Sequence, residues 1–193
     1  MRRLDLAWAL LALVCAGCVS TMEAPAGKPV RWETLAVTGV RSTNDLVEHP
    51  AVVGAELFLT EPDSGGWGPE FGGRYAWGDA DTLGSSGSAT RDSEFFELDI
   101  GVQQTFERET ALRPFVGVGG AWMRAHHSQS SDTESRDFND YGMGVYLHGG
   151  VLWNPQQDEA GRGEGFVIGL DLRGMLADDT DYLELALVTG FGR

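Results

Sequence analysis

Basic residues are scarce in this chain. Its 14 Lys and Arg face 29 Asp and Glu, a formal net charge of −15. A surface that acidic repels phosphate backbones, which excludes a nucleic-acid-binding role. Cysteine is nearly absent: Cys15 and Cys18 both lie near the start, so no disulfide framework staples the fold. Proline stands at 7 residues, and the 27 glycines follow no Gly-X-Y period, which excludes collagen. No apolar run reaches the ~20 residues of a membrane-spanning helix. Past the N-terminal region, no useful window carries the i, i+3, i+4 spacing of an amphipathic helix either. What remains in 193 residues, 42% of them apolar, is material for one acidic, Gly-rich domain with a sizeable core.

The first residues form an address. Met1-Arg2-Arg3 is basic, and residues 6–17 read LAWALLALVCAG, the length of a secretory-signal core. The run ends in Ala16-Gly17-Cys18, which resembles a bacterial lipobox. That resemblance implies acylation of Cys18 as the mature N-terminus. An ordinary signal cleaved nearby would instead leave Cys18 as a thiol or remove it. We expect a lipoprotein-type signal peptide over 1–17 and a linker over 18–30, whose residues 21–29 are rich in Ala, Pro and Gly.

Period-two alternation dominates the remainder. Over 95–106, Phe96, Leu98, Ile100, Val102 and Phe106 share a face opposite Phe95, Glu97, Asp99, Gly101, Gln103 and Thr105. Over 141–153, Tyr141, Met143, Val145, Leu147, Val151 and Trp153 oppose Gly142, Gly144, Tyr146, His148 and Gly150. Residues 166–176 and 182–191 repeat the pattern, with Leu170, Leu172, Leu185 and Leu187 opposite Asp171, Arg173 and Glu184. Earlier, Val53, Ala55 and Leu57 oppose Gly54, Glu56 and Phe58, while Trp67, Phe71 and Trp77 oppose Gly68, Glu70 and Arg74. Residues 112–124 form a strand of either parity, with Val116, Val118 and Trp122 favoured on the apolar face. Residues 32–40 are a weaker candidate, needed to bring the count to eight.

Alternation alone fits any half-buried antiparallel sheet. Two features discriminate. The polar faces hold many glycines, useful where eight strands converge on a narrow, filled lumen. The apolar faces carry aromatics at both ends: Trp67 with Trp77, and Phe96 with Phe106, ten residues apart. At about 3.3 Å per residue and a tilt near 40°, ten residues project onto roughly 25 Å, the height of an outer-membrane barrel's apolar belt. Tyr141 and Trp153 give a projection of about 30 Å. Together with Trp122, these rings are expected to form the interfacial girdle. Connectors 41–50, 78–93 and 125–139 are longer than 61–66 and 107–111, which places the first, third and fifth outside and the N-terminus in the periplasm, while the sixth (154–164) is longer and the seventh (177–181) shorter than that rule requires.

The phrase Arg113-Pro114-Phe115-Val116-Gly117-Val118-Gly119 and the alternating last strand ending in Phe191 resemble the small eight-stranded outer-membrane barrels, the OmpA transmembrane domain and OmpX-like family. The resemblance implies an all-β fold, an eight-stranded antiparallel up-and-down transmembrane β-barrel, over 31–193. It also implies residence in the outer membrane of a Gram-negative bacterium, among its lipid and lipopolysaccharide, with no specific protein partner indicated. The role implied is structural or surface-interacting.

Two other readings use the same strands. A soluble lipocalin-like lipoprotein would turn them inside out around an apolar ligand in the periplasm. A lipid A-modifying barrel enzyme would need a motif resembling His-x-Ser-Asn near the outer end of the next-to-last strand. Here His126-His127-Ser128-Gln129 ends the fifth strand, and the required position reads Leu172-Arg173-Gly174-Met175. A hydroxyl nucleophile needs a held base, which a Ser-rich loop does not supply. No catalysis, cofactor or metal is therefore expected. The adjacent His pair and Asp79-x-Asp81 are taken as solvated loop residues.

The inward polar set is the informative group: Glu56, Glu70, Arg74, Glu97, Asp99, His148, Asp171, Arg173 and Glu184, with Gln103 and Tyr146. Arg74 and Arg173 are expected to pair with neighbouring carboxylates, because lone buried charges are costly. Six carboxylates against two arginines leave a surplus to be hydrated, protonated or bound to a cation.

Overall fold

The computed structural model describes residues 31–43, 51–60, 66–84, 87–106, 110–131, 135–156, 165–178 and 181–192. The strands are β1 (Arg31–Thr43), β2 (Ala51–Thr60), β3 (Trp67–Gly84), β4 (Gly87–Thr105), β5 (Leu112–Ser131), β6 (Ser135–Trp153), β7 (Gly165–Ala177) and β8 (Tyr182–Gly192). Each pairs antiparallel with its neighbour in the chain, and β1 pairs β8 to close the barrel. Over the height where all eight strands run side by side, closure removes the sheet edges, so the ladder groups there are paired without water.

The alternation sorts side chains as the sequence predicts. Ile100 and Leu147 are 60% exposed, and Leu98, Leu170 and Leu185 lie outside with them. Glu97, Arg173 and Glu184 are wholly buried. A lipocalin-like barrel would pack those aliphatic residues in one interior, and here they coat the exterior. An exterior this apolar is matched to hydrocarbon. Aromatic rings bound it at both ends. Tyr75 stacks on Trp77, Phe96 meets Trp122 edge-on and Trp122 stacks on Tyr141 at the upper end. Trp67, Phe106 and Trp153 are exposed at the lower end, where Phe166 meets Phe191 at 5.9 Å.

Three features depart from expectation. The strand over 32–40 exists as β1 and is longer, but its polarity is reversed in its first half: Leu35 and Val37 point inward and Thr34, Ala36 and Thr38 outward. Leu35 and Val37 join Phe115, Leu152, Val167, Ala186 and Val188 as an apolar floor inside the lower barrel. Secondly, connectors 78–93 and 125–139 are not loops. The β3–β4 ladder continues to Gly84↔Gly87, and the β5–β6 ladder to Ser130↔Ser135. These strands run 18 to 20 residues, so β3–β6 rise above the upper girdle beside four shorter neighbours. Thirdly, Arg41, placed in a connector by the alternation, belongs to β1 and points inward.

Turn chemistry appears where it is required. Gly66 has φ 94°, the left-handed region, and its carbonyl accepts from the Thr105 amide at 3.0 Å. Residues 1–30, with Cys18, the signal and the linker, lie outside the described residues.

Candidate functional site

The lumen holds the chemistry. Arg74 on β3 reaches three other strands: Nη1 donates to Asp99 Oδ2 at 2.9 Å, Nε to Glu184 Oε1 at 3.1 Å, and Nη2 to Glu56 on the adjoining β2. Arg173 Nη2 donates to Glu97 Oε1 at 2.6 Å. Both arginine pairings expected from sequence are present. Below them, His148 sits between Glu70, 2.9 Å from Nε2, and Asp171, 3.2 Å from Nδ1. All nine lumen residues named from sequence therefore share one connected interior.

Sequence reasoning missed four contributors. Arg41 Nη2 donates to Glu97 Oε2 at 3.0 Å and Glu184 Oε2 at 2.8 Å, and its guanidinium lies 3.7 Å from the Tyr182 ring centroid. Tyr182 donates to Glu97 at 2.8 Å. At the lower end, Glu33 accepts from Arg113. The signal was parity: positions 33 and 41 share the inward register of β1, and 113 that of β5. With these residues, the described lumen sets seven carboxylates against four arginines, a smaller imbalance than six against two.

Glycine makes the network possible. A Cβ at Gly117 would lie 2.1 Å from His148 Nε2, and one at Gly101 would lie 2.3 Å from the Tyr146 hydroxyl. No L side chain fits there without displacing a network member. Gly72, whose Cβ would lie 2.5 Å from Asp99 Oδ1, and Gly119, 2.5 Å from the Tyr146 hydroxyl, make the same allowance.

The girdle residues named from sequence all face outward, with Trp77 only half-exposed against Tyr75. Near the upper girdle the outer wall has a cavity of about 300 Å³, lined by Tyr75, Glu94, Phe95, Phe96, Arg124, His126 and Asn139. Asn139 Oδ1 accepts from Arg124 Nη2 at 3.3 Å and lies 3.1 Å from His126 Nδ1. The His126-x-Ser128 pair thus sits on the outer wall of β5, and the described partner of the His126 ring is an amide. The side chains of His127, Gln129, Asp79 and Asp81 lie outside the described residues.

No protein-family model and no curated protein matches this chain. Solved structures do. The attachment invasion locus protein Ail of Yersinia pestis, crystallised with the heparin analogue sucrose octasulfate, aligns at TM-score 0.56 and 12% identity, over 85% of this chain and 98% of Ail. The fold is that of a small outer-membrane β-barrel. Neisserial surface protein A aligns at TM-score 0.54 and 11% identity, over 84% of this chain and 96% of its own. The N-terminal β-barrel domain of Pseudomonas aeruginosa OprF gives 0.51 and 12%, over 84% and 97%. What is shared at such identities is the barrel itself: eight antiparallel strands with lipid-facing and lumen-facing residues in alternation.

Proposed function

We propose that the chain is a non-catalytic barrel of the Gram-negative outer membrane with a structural or surface-interaction role. The observation that carries this reading is the pairing of an apolar exterior with a lumen occupied by a buried ionic network above an apolar floor. Eight strands leave room for side chains and not for a wide channel. Outer-membrane lipid and lipopolysaccharide are its immediate partners, met by the aromatic girdles. Among the described residues the tall β3–β6 extension is the most prominent external element and the natural place for contact with other surfaces. Ail was crystallised with a heparin analogue. Here the net charge of −15 opposes any comparable polyanion, so a neutral or cationic surface is the better match. Acylation of Cys18 adds a second tether on the periplasmic side.

The decisive experiment deletes residues 1–17 and compares solubility. A barrel requires detergent and shows a heat-modifiable gel shift, whereas solubility in buffer alone would favour the lipocalin-like alternative. Incubation with lipopolysaccharide tests the enzyme reading, which predicts released acyl chains. Mass spectrometry of the mature N-terminus, with Cys18→Ala as control, tests acylation.

A further inference from the structure

His148 is flanked by a carboxylate at each ring nitrogen. Glu70 Oε2 lies 2.9 Å from Nε2 and Asp171 Oδ1 lies 3.2 Å from Nδ1. Glu70 is itself fixed by the Tyr146 hydroxyl, which donates to Oε1 at 2.5 Å. Phe115 and Tyr146 meet the imidazole edge-on, so the ring is held in place. A neutral imidazole has one N–H. With that proton on Nε2 and donated to Glu70, the Nδ1 lone pair faces a carboxylate oxygen. Such a contact calls for a positive charge between the two atoms. A carboxylate on the far nitrogen is also the common support of a metal-bound histidine.

Other observations converge on the same point. One ligand atom each from Glu56, His148 and Asp171 lie within 4.8 Å of one another. Asp171 is 1% exposed, and its Oδ2 accepts no hydrogen bond, with Arg74 Nη2 3.7 Å away. The charge count agrees. Arg41 is engaged by Glu97 and Glu184, Arg173 by Glu97, Arg74 by Asp99, Glu184 and Glu56, and Arg113 by Glu33. The excess of carboxylates in the described lumen therefore falls around His148, where a dication would offset it.

We propose that Glu56, His148 and Asp171 hold a divalent transition-metal ion of the zinc type inside the barrel. One imidazole nitrogen and two carboxylate oxygens suit Zn²⁺ or Co²⁺, while Mg²⁺ and Ca²⁺ prefer all-oxygen shells. Ligands about 2.0–2.2 Å from a tetrahedral ion stand roughly 3.4 Å apart. The Nδ1–Oδ1 separation, 3.2 Å, is close to that spacing, and Glu56, held nearby by Arg74, brings the third ligand atom within 4.8 Å of the other two. This departs from the expectation that the chain takes no metal, and it does not depend on the proposed surface role.

The test uses the protein in detergent micelles, stripped with a chelator and titrated with ZnCl₂, and in parallel with CoCl₂ followed by visible absorption. One equivalent per chain is expected, bound more than tenfold tighter than Mg²⁺ or Ca²⁺. His148→Gln and Asp171→Asn weaken binding at least tenfold, while Glu33→Gln, at the Arg113 pair, leaves it unchanged. The gel shift verifies folding of each variant. If both site variants fail to fold, imidazole ¹⁵N shifts of the unaltered protein decide: Zn²⁺ must move the Nδ1 resonance of His148 while Nε2 stays protonated. Zn²⁺ binding unaltered by His148→Gln would overturn the site. So would two protonated ring nitrogens in excess Zn²⁺, which would make His148 an imidazolium bridge.

Discussion

Arg173 on β7 and Glu97 on β4 meet at 2.6 Å, both buried, although three strand steps separate them around the barrel wall. The pair braces the sheet through its interior. Tyr182 and Arg41 complete the shell of Glu97, so its charge is fully engaged. Replacing Arg173 with Leu removes one guanidinium and leaves surplus negative charge in a closed space. The expected loss is about 3–5 kcal/mol, the cost of breaking a buried pair. Removing both members, Arg173→Leu with Glu97→Leu, should recover a large part of it. Urea unfolding in detergent measures both variants, and an unchanged midpoint for Arg173→Leu would contradict the brace.

Glycine positions separate packing from conformational effects. Gly117→Ala places a methyl group 2.1 Å from His148 Nε2 and 2.9 Å from Glu70 Oε2. Gly73→Ala, on the outer wall, meets Leu98 Cδ2 at an ordinary 3.5 Å. The first should cost about 1–3 kcal/mol through overpacking. The second should be neutral within about half a kcal/mol. Similar unfolding midpoints for the two would show that the lumen is looser than it looks.

Much of this was legible in the sequence because the barrel's two environments are opposite in polarity and the pleat has period two. Every strand with a long apolar face was found, and so was its orientation: Leu98, Ile100, Leu170 and Leu185 lie outside as expected. The signal weakened in β1, where Leu35 and Val37 turn inward because the floor needs apolar volume opposite Phe115. Arg41 was lost with the end of that strand. The upper extensions were hidden for a different reason. Above the girdle the sequence of β3–β6 carries no apolar–polar alternation, and its Ser- and Asp-rich segments resemble loops. The lumen residues could be named one by one, but not their partners, since pairing across a barrel depends on closure and register.

Depth in the membrane sets the cost of charge on the outer wall. Leu147 lies midway between Tyr141 and Trp153 on β6, whereas Met143 pairs with Trp122 at the upper girdle. Both are exposed, at 60% and 67%. Leu147→Arg should therefore cost about 2–4 kcal/mol and Met143→Arg about 0–1 kcal/mol when unfolded from lipid vesicles. Equal costs would mean that the apolar band is not centred between the two aromatic rings.

The lumen has two obstructions in series. The floor of Leu35, Val37, Phe115, Leu152, Val167, Ala186 and Val188 lies below the ionic network around Arg74. Resistances in series add, so relieving one obstruction leaves the other in control. Phe115→Ala should cost about 3–5 kcal/mol in stability, because a large ring is removed from a packed site. It should still conduct no more than the unaltered protein in planar bilayers, since Arg74, Glu56, Asp99 and Glu184 remain locked above the gap. A steady open-channel current in the unaltered protein would mean that the network exchanges for water in the membrane. A current appearing only in Phe115→Ala would instead make the floor the sole seal.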